Sequence, residues 1–152
     1  ERAYGAFCYD YTLRTITHFL IPNFESLEIN QQIRTIDFMP TILELLNISL
    51  DITYSPLDGT SLIPLIHEKP LPEQYAFSET GNPLHQKEPP KEPNVKSIRN
   101  SKWKLILNEH DGSKELYNLE LDPCENKNLI NTNEEIENIL WIELKKLIHT
   151  RD

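Results

Sequence analysis

Apolar residues recur at helical spacing in two segments of the chain. The first stripe follows an i, i+3, i+4, i+7 pattern, which predicts an amphipathic helix with one side against a core; its members are Met39, Ile42, Leu43 and Leu46. Thr35 is the predicted N-cap of this helix, and Asn47 is predicted to end it in a left-handed conformation. A second helix is predicted from about Asn133 to His149, with Thr132 and Glu135 as a capping box.

Shorter runs of apolar and β-branched residues predict strands. The run from Ile16 to Ile21 suits a buried strand of an α/β sheet, and a second extended run is predicted from Glu28 to Arg34. Short turns link the later runs, which predicts a four-stranded antiparallel meander covered on one side by the terminal helix. These later runs are Gln74 to Thr80, Val95 to Arg99, Lys102 to Leu107 and Lys114 to Leu119.

A proline-rich region separates the first helix from most of the meander. Most of the prolines lie between Pro56 and Pro93, where long regular elements are not expected. Within this region, Gly81 to Pro93 is interpreted as an exposed loop with a charged tip that begins at Lys87.

Composition and charge argue against several classes of partner. The 152 residues carry a formal net charge of -9, and nucleic acid or anionic lipid would require clustered lysine and arginine. No apolar run approaches the roughly 20 residues of a membrane span. The two cysteines, Cys8 and Cys124, provide neither a disulfide framework nor a metal-ligand spacing.

Seven segments resemble, in order, segments from the C-terminal third of sulfatases, which belong to the alkaline phosphatase superfamily. They are Tyr9 to Arg14 (Tyr-Asp-Tyr-Thr-Leu-Arg), Ile33 to Leu43 (with Asp37-Phe38-Met39-Pro40-Thr41), Asp58 to Leu62, Ala76 to Thr80, Ser97 to Arg99 with Lys102 to Ile106, Glu115 to Leu119, and Asp122 to Leu129. Each match is weak alone. Their common order across almost the whole chain identifies it as a member of the sulfatase family.

The resemblance implies an α/β fold that is α+β in its C-terminal part. Residues 1–73 would form the end of an alkaline-phosphatase-like catalytic domain, which is incomplete here. Residues 74–152 would form a subdomain of about four antiparallel strands packed by the terminal helix. Because a patterned segment begins almost at the first residue, the chain is interpreted as a fragment of a larger fold.

The resemblance also implies where the reacting groups of the parent enzyme lie. In the family the nucleophile is a formylglycine made from the first residue of a Cys/Ser-x-Pro-x-Arg motif, and this sequence lacks that motif. The family's metal ligands, which hold calcium or magnesium, lie near the N-terminus and just before the position of Glu1. The chain is therefore expected to contain no catalytic residue and no metal site. It should be inactive without the N-terminal catalytic part.

Three residues are candidates for contact with the parent's substrate, a small-molecule or glycan sulfate ester. Many sulfatases place a Lys or His four or five residues before the tyrosine matched to Tyr9, where this chain has Tyr4-Gly5. Either Arg2 supplies the positive charge from a shifted position, or the parent prefers another ester, or it is not an active sulfatase. His85 and Lys87 lie in the proline-rich loop, which could reach over an active site; a solvated loop is the alternative interpretation.

Two other functions remain open from the sequence. A phosphodiesterase or phosphonate monoester hydrolase shares the same scaffold, and a threonine nucleophile upstream would distinguish it from a formylglycine enzyme. A free-standing, non-catalytic interaction module is the second alternative. An unpaired sheet edge in a cut fold would favour aggregation, which argues against the module.

Overall fold

The computed structural model describes residues 5–51, 53–54, 56–83 and 90–149. The chain divides into two compact units. The sheet unit combines the described residues up to His18 with those from Tyr75 onward, and the helical unit comprises those from Phe19 to Gln74. The assignment of residues 1–73 and 74–152 to two domains of a larger enzyme stays a prediction.

The sheet unit contains a four-stranded antiparallel meander, as the sequence predicts. Its strands are β1 (Ala76–Thr80), β2 (Val95–Arg99), β3 (Trp103–Asn108) and β4 (Ser113–Asn118), in that spatial order. At the β2–β3 turn, the side-chain oxygen of Asn100 accepts hydrogen bonds from the backbone N–H groups of Lys102 and Trp103. At the β3–β4 turn, Gly112 has a φ of 73°, a conformation that glycine adopts without steric cost.

One face of the sheet packs against helix α4 (Glu134–His149). Because side chains alternate along a strand, Leu105 and Leu107 of β3 share this face. The core also includes Ile98, Leu116, Leu140 and Leu144. Asn133 caps the helix, since its side-chain oxygen accepts a hydrogen bond from the N–H of Ile136. The predicted capping box at Thr132 was therefore placed one residue too early.

The opposite face of the sheet is covered by the N-terminal segment, which includes the short helix α1 (Asp10–Leu13). Cys8 is fully buried in this second core, and Tyr9 and Leu13 pack at its margin. The sheet contributes Val95, Ile106, Tyr117 and Leu119. The meander is thus buried on both faces, by α4 on one side and by residues near the beginning of the chain on the other.

The helical unit contains α2 (Phe38–Leu45) and the short α3 (Ile63–Ile66), with a 3-10 turn at Thr35–Asp37 before α2. Arg34, and not the predicted Thr35, occupies the N-cap position of the 3-10 turn. Asn47 has a φ of 54°, which confirms the predicted left-handed residue at the end of α2.

Two further sequence predictions for the first half of the chain are wrong. The run from Ile16 to Ile21 forms no strand, and Ile16 and Leu20 are fully or largely exposed. The run from Glu28 to Arg34 is assigned to no sheet strand. The stripe of α2 does not face a core within the described residues, because Met39, Ile42 and Leu46 are 57%, 43% and 63% exposed. An apolar pattern predicts that a surface will be covered, but it does not show which part of a polypeptide covers it.

Candidate functional site

The three predicted substrate-contact residues, Arg2, His85 and Lys87, lie outside the described residues. Among the residues that the structure describes, no group of three or more His, Cys, Asp or Glu side chains is arranged to hold a metal ion. No helix in the described part of the chain is long and apolar enough to cross a membrane. The polar clusters that the structure does contain were not predicted from the sequence.

The most deeply buried charge in the sheet unit is Lys104, whose side chain is 0% exposed. Its Nζ lies 2.9 Å from Asp10 Oδ1 and 2.8 Å from Glu125 Oε1. The contact with Asp10 is a hydrogen bond, whereas the contact with Glu125 is an ion pair without hydrogen-bond alignment. Arg99 makes a further ion pair with Asp10. We call these four side chains the ion cluster.

Backbone N–H groups fix the position of Glu125 in the ion cluster. The N–H of Asp10 donates to Glu125 Oε2 at 2.6 Å, which ties the start of α1 to the loop after β4. Glu125 itself has a φ of 54°, and its N–H donates to the carbonyl of Asp122 at 3.1 Å. The cluster therefore joins three segments that are distant in sequence.

The charges of the ion cluster balance, with two cations facing two carboxylates. Burial alone would raise the pKa of Asp10, but the nearby Lys104 ammonium and Arg99 guanidinium outweigh it, so the pKa of Asp10 lies below its ordinary value. A carboxylate held ionised by two cations is a poor general base. The arrangement is suited to fixing α1 on the sheet.

A second polar cluster surrounds the carboxylate of Glu115 on the same face of the sheet. The phenols of Tyr9 and Tyr117 both donate to Glu115 Oε2, at 2.8 Å and 2.5 Å. Asn108 donates to Oε1 at 3.1 Å. Burial and these bonds to a carboxylate raise the pKa values of Tyr9 and Tyr117 above their ordinary range, because both favour the protonated phenol.

The helical unit contains its own buried polar network at the start of α2. Asp37, 3% exposed, accepts from the Arg34 guanidinium at 2.7 Å and from the N–H of Thr60 at 2.9 Å. The hydroxyl of Thr41 donates to the carbonyl of Asp37 at 2.5 Å and accepts from the N–H of Leu62 at 2.9 Å. A Cβ at Gly59 would overlap the backbone oxygen of Ile36, so this close approach requires glycine.

The sequence contained one signal for the ion cluster. Lys104 lies between Trp103 and Leu105 in a strand that is buried on both faces, and a lysine at such a position needs a buried partner. The identity of that partner was not predictable, since Asp10 precedes Lys104 by 94 residues. The Asp-Gly and Asp-Pro motifs of the sequence indicate which fold the chain adopts, and they do not identify this partner.

The chain matches the family model described as N-sulphoglucosamine sulphohydrolase, C-terminal, over residues 5–151. A search of curated proteins finds no match to the chain. Two solved structures, a candidate sulfatase from Bacteroides thetaiotaomicron and a 2-O GAG sulfatase, each align with a TM-score of 0.60 and 23% identity. Both alignments cover 75% of this chain and 24% of the other protein.

A phosphonate monoester hydrolase from Silicibacter pomeroyi aligns with a TM-score of 0.50 and 22% identity, over 74% of this chain and 24% of that protein. The chain thus spans about a quarter of the length of these solved structures. The structural likenesses establish the fold, a mixed α/β arrangement with the antiparallel sheet and terminal helix. The family match covers nearly every residue, and the chain therefore belongs to the sulfatase family described as N-sulphoglucosamine sulphohydrolase, C-terminal.

Proposed function

We propose that the chain is the C-terminal part of a sulfatase-type enzyme that hydrolyses sulfate esters, and that it is inactive alone. The family match over residues 5–151 carries this proposal. The absence of a Cys/Ser-x-Pro-x-Arg motif from the sequence supports the second half of it. In each solved structure, the sequence outside the aligned region is roughly three times as long as the aligned region itself. This length is consistent with an upstream catalytic part.

The chemistry of sulfate ester hydrolysis also supports a parent enzyme whose reacting groups lie upstream of this chain. The reaction needs a nucleophile, a cation to bind the sulfate oxygens and an acid for the leaving oxygen. Among the described residues, the carboxylates of Asp10, Asp37 and Glu115 each accept hydrogen bonds from donors within the fold. The described residues do not fit a metal site, so no step of the reaction is assigned to a metal held by them.

In the proposed parent, the upstream part would supply a formylglycine nucleophile and the ligands of a calcium or magnesium ion. The sheet unit of this chain would support that part. Arg2, His85 and Lys87 are proposed to contact the substrate, because each carries or can carry a positive charge that suits a sulfated group. One neighbour of the fold, with a TM-score of 0.50, was solved with its substrate D-glucosamine-2-N,6-O-disulfate. A sulfated sugar is therefore our first choice of substrate class.

The likeness to the phosphonate monoester hydrolase gives a second candidate function. Tyr4-Gly5 stands where many sulfatases have a Lys or His, and loss of that cation would suit a parent that acts on a different ester. The upstream sequence distinguishes the two candidates. A Cys/Ser-x-Pro-x-Arg motif indicates sulfate ester hydrolysis, and a threonine nucleophile indicates phosphoester or phosphonate chemistry.

Both halves of the proposal can be tested with a chromogenic ester. The full-length parent and the 152-residue chain are assayed with nitrocatechol sulfate and with a nitrophenyl phosphonate, in the presence of calcium or magnesium. We expect the full-length parent to hydrolyse the sulfate and the isolated 152-residue chain to be inactive. Turnover by the isolated chain would overturn its proposed inactivity. Turnover of the phosphonate in preference to the sulfate would replace the sulfatase with the second candidate.

A further inference from the structure

Helix α2 is held rigidly on one side by the polar network of the helical unit. Asp37 and Thr41 lie on this side, and each accepts a backbone hydrogen bond from the Thr60–Leu62 segment. Arg34 completes the network with an ion pair to Asp37, in which the guanidinium nitrogen and the carboxylate oxygen lie 2.7 Å apart. The orientation of α2 within its unit is therefore fixed before any partner binds.

The other side of α2 is apolar and exposed. We call four residues on this side the apolar stripe: Met39 and Ile42 of α2, Ile36 of the 3-10 turn before it and Leu46 directly after it. They lie at spacings of three or four residues and are 57%, 43%, 46% and 63% exposed, respectively. Residues at these spacings share one side of a helix. A rigid helix that presents a continuous apolar row to water is typical of a surface that another protein surface covers.

The exposed apolar side chains are concentrated in the helical unit. Of the seventeen large hydrophobic residues that are exposed in the described chain, twelve lie between Leu20 and Leu57. The sheet unit, by contrast, buries two separate apolar cores. The incomplete core is thus a property of the helical unit, and the apolar stripe is its most regular part.

The charge of the helical unit narrows the choice of partner. Its sequence, from Phe19 to Gln74, holds eight carboxylate residues and two cationic ones, a formal charge of -6. One of the two cations, Arg34, is already paired with Asp37. Two copies of such a unit would place like charges against each other, which disfavours association. A partner with an apolar centre and basic groups at its rim is complementary.

We propose that the apolar stripe is the docking surface for the upstream part of the parent enzyme, and that the contacting surface of that part is apolar with a basic rim. The inference rests on the proposed function, since it takes the partner to be the portion of the enzyme that this chain lacks. The chain spans 24% of the length of its solved neighbours, so a partner large enough to cover the stripe is available in the same enzyme.

The test compares one pair of substitutions in two contexts. Met39→Gln with Leu46→Gln removes apolar surface but keeps helix propensity, because glutamine, methionine and leucine rank close together. In the 152-residue chain, we expect the double variant to lower the fluorescence of bound anilinonaphthalene sulfonate and to leave the thermal midpoint unchanged. In the full-length parent, it should raise the equilibrium constant for unfolding, or the rate of proteolysis near α2, by about thirtyfold or more.

Glu44→Gln is the matched control, because Glu44 is an exposed polar residue of the same helix. It should leave both measurements unchanged in both contexts. The inference is overturned if the double variant leaves the parent as stable as the wild type. It is also overturned if the wild-type chain forms a dimer in sedimentation experiments that the double variant abolishes, since the occupant would then be a second copy.

Two readouts separate this inference from the proposed function. A parent that hydrolyses nitrocatechol sulfate but tolerates the double variant contradicts only the docking surface. A parent that is destabilised by the double variant but does not hydrolyse the sulfate contradicts only the sulfatase assignment. Raising the salt concentration should further destabilise the double variant of the parent, because salt screens the attraction between the proposed basic rim and the acidic helical unit. A salt-independent effect would overturn the basic rim.

Discussion

Lys104 Nζ donates a hydrogen bond to Asp10 Oδ1 across 2.9 Å, although the two residues are 94 positions apart in the chain. The contact joins the centre of the sheet to the short helix that covers its second face. Since Lys104 is 0% exposed and Asp10 is 12% exposed, water screens this pair poorly. The ion cluster is therefore expected to matter more for stability than any ion pair at the surface.

Lys104→Met tests this expectation. The substitution keeps the apolar length of the side chain but leaves Glu125 without its cation, so the free energy of unfolding should fall by about 3 kcal/mol. Urea denaturation of the 152-residue chain measures it. Lys102→Met is the matched control, because Lys102 pairs with Glu120 at 2.9 Å with both side chains more than half exposed. The control should cost less than about 1 kcal/mol, and equal losses would contradict a special role for the buried lysine.

The sheet and α4 were predictable because their residues bury one another within the same part of the chain. The alternation in β3 and the helical period of α4 each describe a surface whose partner is adjacent in the fold. The run from Ile16 to Ile21 failed for the opposite reason. Its residues are apolar, but no described strand pairs with them, and hydrophobicity alone does not supply a hydrogen-bonding partner.

The polar clusters were not predictable because they depend on pairs of residues that are remote in sequence. The sequence motifs singled out Asp10, Lys104 and Glu125 as marks of the scaffold, without indicating that they meet. Their contact depends on the face to which β3 directs Lys104 and on the left-handed turn at Glu125. Such details follow from the assembled sheet.

The tyrosine cluster predicts a loss of stability in alkali. Folding raises the pKa values of Tyr9 and Tyr117, so the folded chain holds these protons more tightly than the unfolded chain does. Their contribution is fully present below the ordinary tyrosine pKa of about 10 and is lost as the pH rises above it. The thermal midpoint of the 152-residue chain should therefore fall above about pH 10.

Tyr9→Phe should make the fall of the thermal midpoint in alkali shallower, because it removes one of the two tyrosines whose pKa is raised by folding. Tyr11→Phe serves as the control, since Tyr11 is 65% exposed. The control should follow the wild-type curve. A Tyr9→Phe curve with the wild-type slope would contradict the assignment of the alkaline transition to this cluster.

Thr41→Val tests the polar network that fixes α2. Valine has nearly the shape and helix propensity of threonine, but it leaves the buried N–H of Leu62 without its acceptor. The free energy of unfolding of the helical unit should fall by about 1–3 kcal/mol. Thr12→Val is the control, because the hydroxyl of Thr12 is exposed and bonds only to nearby carbonyls. Hydrogen exchange at Leu62 would locate the effect, and unchanged protection there would contradict it.

Gly59→Ala should destabilise the helical unit more than Gly112→Ala destabilises the sheet unit. At Gly59 an added methyl group meets the backbone oxygen of Ile36, which no rotamer change can move aside. The expected cost is about 2–3 kcal/mol. At Gly112 the space is open, and only the φ of 73° resists the change, at a cost of about 1 kcal/mol. The two costs are compared by denaturation of the single variants, and the reverse order would contradict the close approach at Gly59.

Asp10→Asn tests the ion cluster in acid. Lys104 and Arg99 hold the pKa of Asp10 below its ordinary value, so its contribution to stability is present above the ordinary carboxyl pKa of about 3.9. It is lost as the pH falls from there through the lower value of the folded chain. Asparagine cannot titrate, so the variant should be less stable than the wild type at pH 7 and should lose less on acidification. The exposed Glu28→Gln variant is the control and should follow the wild-type curve. Denaturation midpoints between pH 7 and pH 2 measure both curves, and an Asp10→Asn curve that runs parallel to the wild type would show that another carboxylate dominates the acid transition.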